Sequence, residues 1–190
     1  SKVLGAASFS KDEKYIFLLD ENRHLTKWKI HNQDGLRLVE NAAREIMKTG
    51  GVFSNDGNFF LTDDGRSTAY KWDGINVVDP QLRFSHFRDI NSIKYSHDGK
   101  KVITAAEDAT AVVWDAETGK KLSIFYHENI VTSASFSPDD KKIITVSFDG
   151  AVKIWDVNAK REIAAFDGQF NSAEFSSDGK SVVMTRNTGI

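Results

Sequence analysis

Residues 136–156 read FSPDDKKIITVSFDGAVKIWD. Phe136 and Ser137 close a short apolar segment, and Pro138-Asp139-Asp140 follow. Proline pre-sets φ and Asp tolerates a left-handed backbone while bonding to its own chain, so this is a turn. Ile143 to Val146 then form a β-branched run suited to a strand. Asp149-Gly150 marks a second tight turn, and Ala151 to Asp156 make a third strand that ends in Trp-Asp. Past the turn VNAKR, the segment EIAAF (162–166) supplies a fourth. The stretch therefore predicts four antiparallel strands joined by short turns.

The same sentence is written four times. An aromatic residue stands at Phe9, Phe53, Tyr95 and Phe136, and a tryptophan follows each at an offset of 19 residues: Trp28, Trp72, Trp114 and Trp155. The tryptophans are 44, 42 and 41 residues apart. A fifth copy starts at Phe175. Each copy has its own turn after the aromatic: SKDEK, SNDGN, SHDGK, SPDDK and SSDGK. A fixed period of this length means a stack of identical supersecondary units rather than one irregular core.

FSPDDKKIITVSFDGAVKIWD and YSHDGKKVITAAEDATAVVWD (95–115) both resemble WD repeats in period, strand count and Trp-Asp ending. The resemblance extends over essentially the whole chain and is best from about Phe84 to Phe166. It implies an all-β fold, a WD-repeat β-propeller with four four-stranded blades and the start of a fifth. The expected boundaries are 6–39, 51–85, 90–125 and 130–166, with a partial blade at 171–190. Propellers of this family most often close with about seven blades, within a range of roughly four to eight. The remaining blades of a larger propeller are therefore expected beside this segment. A helical turn is expected between blades over Val39 to Gly50.

Blades of this family often hold a buried tetrad of His, Ser/Thr, Asp and Trp. Trp114 has Asp108, Thr104 and His86 at six, ten and twenty-eight residues before it, and Trp155 has Asp149, Thr145 and His127 at the same offsets. Both sets are expected to form hydrogen-bonded networks, because each of these groups is costly to bury alone. The other blades depart from the pattern. The second keeps Thr62 and Trp72 but offers Arg66 and Arg44 at the other offsets, with Asp63 or Asp64 as a substitute. The first offers Leu18 and Asn22, and the fifth Met184. Apolar packing is expected to hold these.

A hydroxyl, an imidazole and a carboxylate also resemble a hydrolytic triad. Here the trio recurs beside a tryptophan in successive blades, whereas a catalytic set normally occurs once, so no catalytic residue is assigned. The acidic turns lack a twelve-residue calcium loop, and no HExxH or Cys/His spacing suits zinc. Phosphate-binding glycine motifs and GxSxG are missing as well, so neither cofactor nor metal is expected. The formal charge is −2 and there is no cysteine. Lysine pairs such as Lys100-Lys101 and Lys141-Lys142 are interspersed with Asp and read as solvated hairpin ends, so nucleic acid is not an expected partner. No apolar run approaches the roughly 18 residues of a membrane span. The opening SKVLGAASFS has neither an initiator Met nor a signal-peptide layout, which fits a cytoplasmic setting and excision from a longer chain.

The resemblance places recognition on loops at one end of the propeller. There the sequence offers Arg88, Asp89 and Asn91, then Glu107, Glu128 and Asn129, Phe148, and Gln169 and Asn171. Of these, Arg88, Glu107, Glu128, Phe148 and Asn171 are the candidates for contact with a protein partner. Phe148 directly precedes Asp149, in a turn expected to face solvent; it either anchors a partner or packs on a neighbouring loop. A protein-interaction scaffold is the leading expectation. A substrate-binding propeller in a multidomain enzyme or sensor, and a purely structural segment of an assembly, are the alternatives.

Overall fold

A computed structural model describes residues 4–9, 14–20, 25–31, 35–42, 52–54, 59–73 and 80–186. These residues form strands and turns with no helix. The first sheet holds β1 (Leu4–Phe9), β2 (Tyr15–Asp20), β3 (Leu25–His31) and β4 (Gly35–Ala42). The second holds β5 (Val52–Phe53), β6 (Phe59–Asp63), β7 (Thr68–Asp73) and β8 (Leu82–Ser85). The third holds β9 (Ile90–Tyr95), β10 (Lys101–Ala106), β11 (Thr110–Asp115) and β12 (Lys121–Tyr126). The fourth holds β13 (Val131–Phe136), β14 (Lys142–Ser147), β15 (Ala151–Asp156) and β16 (Arg161–Asp167). A two-stranded sheet, β17 (Phe170–Phe175) and β18 (Val182–Arg186), follows. Strands pair in sequence order and every pair is antiparallel.

One expectation is corrected here. Val39 to Ala42 do not form a helical turn; they complete β4 and pair back to β3, Leu25 opposite Ala42. Backbone groups that a helix would have satisfied internally are taken by the ladder instead. The rest of that expected turn, 43–50, lies outside the described residues.

The turns explain the repeated Ser-x-Asp pattern. Ser96 Oγ accepts the Lys101 N–H at 2.9 Å and donates to Asp98 Oδ1 at 2.7 Å, while that carboxylate accepts the Lys100 N–H. Ser137 with Asp139, and Ser176 with Asp178, repeat the arrangement. The Trp-Asp ending divides its work similarly. The indole goes into the core, and the Asp115 carboxylate accepts the N–H groups of Glu117 and Thr118 to start the next turn. Asp156 does the same for Asn158 and Ala159.

The central strands β10 and β14 are buried along nearly their whole length. Both of their faces are covered by neighbouring sheets, which is why VITAA and IITVS are continuous apolar runs rather than alternating ones. The outer strand β12 alternates in burial, with Ser123 and Phe125 inward and the apolar Leu122, Ile124 and Tyr126 on its exposed face. The cores lie between sheets. Ile103, Val113 and Phe125 of the third pack against Val131, Phe136, Ile143 and Trp155 of the fourth. Leu61 and Phe84 of the second meet Ile93, Val112 and Trp114 of the third. Ile144, Val146 and Val152 of the fourth pack against Ala173, Phe175 and Met184 of the two-stranded sheet.

Candidate functional site

The third and fourth blades each carry one chain of buried hydrogen bonds. Trp114 Nε1 donates to Thr104 Oγ1 at 2.7 Å, Thr104 Oγ1 lies 2.6 Å from His86 Nε2, and His86 Nδ1 lies 2.9 Å from Asp108 Oδ2. In the next blade the distances are 2.8 Å for Trp155 to Thr145, 2.7 Å for Thr145 to His127 and 2.8 Å for His127 to Asp149. Each hydroxyl receives the indole proton and so gives its own to Nε2. The remaining ring proton then sits on Nδ1 and points at the carboxylate. A neutral imidazole satisfies every member.

Charge follows from this arrangement. Burial pushes the His86 and His127 pKa values below the ordinary range, against the raising influence of Asp108 and Asp149. Burial alone would raise Asp108, but hydrogen bonds from Thr110 and the Phe87 N–H outweigh it and hold the carboxyl below its usual range. Asp149 is held low in the same way, burial being outweighed by the N–H groups of Ala151 and Glu128 and by His127. At neutral pH both carboxylates are therefore anionic beside uncharged rings.

Each histidine belongs to two blades. The His86 N–H donates to Ser67 O at 2.9 Å, extending the second sheet, while its ring bonds only within the third. The His127 N–H donates to Ala109 O at 2.9 Å, and its ring serves the fourth. Phe84 and Phe125 cross the same boundary, with ring centroids 5.5 Å from Trp114 and 5.3 Å from Trp155.

The second blade keeps the indole-to-threonine bond, and the first replaces it. Trp72 Nε1 donates to Thr62 Oγ1 at 2.8 Å. Asp63 accepts the Gly65 N–H, and Asp64 accepts those of Arg66 and Thr68, so both shape their own turn. Trp28 Nε1 donates to Thr26 Oγ1 at 2.9 Å, two residues away on its own strand, and the Thr26 hydroxyl donates to Leu18 O. Met184 lies opposite Ala173 in the ladder, as Thr145 lies opposite Ala134, and joins the apolar cluster. Arg44 and Asn22 lie outside the described residues.

At the end of the blades where the tetrad carboxylates sit, Arg88, Glu128 and Asn171 are exposed and Glu107 is half-buried. The Phe148 side chain is 69% exposed and stands in solvent. Asn91 is drawn inward, its Nδ2 donating to Val131 O of the next blade at 3.1 Å. One residue was missed from sequence: Phe87, 94% exposed, whose N–H donates to Asp108 Oδ2 at 3.0 Å. Its signal is positional, since it directly follows the tetrad histidine. Among the described residues no group of three or more His, Asp or Glu is placed to hold a metal ion. Among those residues no helix is long and apolar enough to cross a membrane.

Residues 79–115 and 119–156 match the family model of the WD domain, G-beta repeat. These two stretches are WD repeats. The chain's four-stranded antiparallel sheets are the blades of a WD-repeat β-propeller fold. Curated relatives include the guanine nucleotide-binding protein subunit beta of Oryza sativa subsp. japonica, 30% identical over 79 residues, which is 40% of this chain and 20% of that protein. Periodic tryptophan protein 2 of Saccharomyces cerevisiae is 38% identical over 61 residues, 32% of this chain and 6% of that protein. Ribosome assembly protein 4 of the same yeast is 26% identical over 90 residues, 47% of this chain and 17% of that protein. The chain thus spans a fifth or less of the length of each.

Proposed function

We propose that this chain is a non-enzymatic protein-recognition scaffold working through the rim that carries Arg88, Glu107, Glu128, Phe148 and Asn171. The observation that carries the reading is Phe148: a large aromatic side chain held in solvent by a turn whose neighbouring carboxylate is fixed in a buried network. Rigid presentation of an aromatic lowers the ordering cost of binding and suits an anchor. The words subunit and assembly in the names of two relatives support a role among protein partners. Catalysis by the tetrads is disfavoured by geometry. The Thr104 and Thr145 hydroxyls are fully buried, each between an indole and an imidazole, out of reach of a substrate.

The blade division proposed is 6–39, 51–85, 90–125, 130–166 and 171–190, within a larger propeller. Phe166 supports this. Phe84 and Phe125 are 0% and 2% exposed beneath the tryptophan of the next blade, whereas Phe166, at the corresponding position, is 39% exposed. Further strands beside β18 would cover it, and would also pair an edge that is otherwise an aggregation hazard.

The test is affinity capture from the source lysate with the wild type and with a Phe148→Ala, Glu107→Lys variant of unchanged melting temperature, followed by titration of the purified partner. Loss of the partner from the variant supports the rim. Equal retention by both removes it and favours a purely structural segment.

A further inference from the structure

Two positions in each blade flank the tetrad carboxylate. One follows the histidine and donates its backbone N–H to that carboxylate; the other immediately precedes the aspartate. In the third blade these are Phe87 and Glu107, and in the fourth Glu128 and Phe148. One aromatic and one acid therefore flank each aspartate, in opposite order in adjacent blades. Both phenyl rings are exposed, and both aspartates beneath them are anionic. Asp89 adds a further acid: its carbonyl accepts the Glu107 N–H, which fixes the loop against the turn. Arg88, exposed beside it, opposes this field.

An apolar side chain finds area on the two rings. A cation finds carboxylates, and it is also attracted by the faces of the same rings. An anion meets like charge across the rim. We infer that the rim takes an extended protein segment in which apolar side chains alternate with lysine or arginine, an inference that rests on the rim being the interaction surface. Phe87 then becomes a second anchor beside Phe148. Arg88 becomes a residue whose removal strengthens binding, opposite in sign to a generic contact.

The experiment is fluorescence anisotropy with three labelled peptides of about ten residues, a length that spans two blades as an extended chain. One alternates leucine with lysine, one leucine with glutamate, and one serine with lysine. The expected result is saturable binding of the leucine–lysine peptide alone. Phe87→Ala, Phe148→Ala and the double variant Glu107→Gln, Glu128→Gln should each weaken it about tenfold, and Arg88→Ala should tighten it severalfold. All five side chains reach solvent, and thermal melts confirm that each variant is folded. Equal binding of the serine–lysine peptide would reduce the effect to diffuse charge and overturn the inference. Preference for the leucine–glutamate peptide, still sensitive to Phe148→Ala, would overturn the cationic selectivity and leave the rim as the interaction surface. Binding of all three that ignores both phenylalanines, or of none, would overturn the inference; the first would count against the rim as well.

Discussion

The carboxylate of Asp140, in the fourth blade, closes over His97 in the third. It accepts the His97 N–H at 2.8 Å with one oxygen and the Asp98 N–H at 2.8 Å with the other. Asp140 holds φ at 57°, where the third and fifth copies place Gly99 and Gly179. A non-glycine residue there costs about 1 kcal/mol, so the interblade bonds must exceed that strain.

Asp140→Gly relieves the backbone but removes both bonds. Hydrogen bonds to a charged group contribute about 1.5–3 kcal/mol each. The expected result is a net loss of about 2–5 kcal/mol in urea denaturation. A gain in stability would show that strain outweighs the tie.

Asp108→Ala and His127→Ala each strand buried partners in a completed network. A loss of about 2–4 kcal/mol is expected for either. Thr26→Val, in the blade whose indole uses its own strand, should cost about 1 kcal/mol. Equal effects at all three positions would mean that the four-membered networks add nothing beyond single bonds.

Acid should weaken the fold in two stages. The histidine pKa values are lowered in the folded state, so the unfolded chain binds protons first as pH falls below about 6.5. Their contribution is complete above that pH and is lost as pH falls toward the lowered folded values. Asp108 and Asp149, also lowered, add a further loss below about 4. Melting temperature should fall between pH 7.5 and 5, and the slope should flatten in a His86→Asn, His127→Asn variant. A flat wild-type profile over that range would contradict the neutral-ring assignment.

Phe125→Ala should cost about 3–5 kcal/mol, because it opens a cavity against Trp155. Phe166→Ala, already partly in solvent, should cost under about 2 kcal/mol in this chain. A cost as large as that at Phe125 would mean that Phe166 is covered.

Much of the architecture was legible because the repeat is strict where burial is strict. The offsets from Trp114 and Trp155 name all eight tetrad members, since a buried network admits little drift in spacing. The Ser-x-Asp turns were legible because their side chains bond locally. Legibility failed where a residue's role depends on a neighbouring blade. Asn91 looked like a rim residue, but its amide reaches Val131 O. Thr26 carries no sign that it receives the Trp28 indole proton, because that bond replaces a missing hydroxyl at Leu18. Phe87 was hidden because exposure of a phenylalanine contradicts its composition-based expectation. Val39 to Ala42 were misread because a short apolar-polar run suits either a helix or an edge strand.

The histidine and the phenylalanine two residues before it stand at the end of one sheet yet fill the core of the next. A segment cut at the edges of a sheet, such as 90–126, would carry away a tryptophan without its ring partner and a threonine without its base. The unit that can be copied, transplanted or inherited intact is out of phase with the sheet: it opens on the outer strand of the preceding blade and closes on Trp-Asp. Seen as a unit of duplication, each repeat is born already hooked to its predecessor.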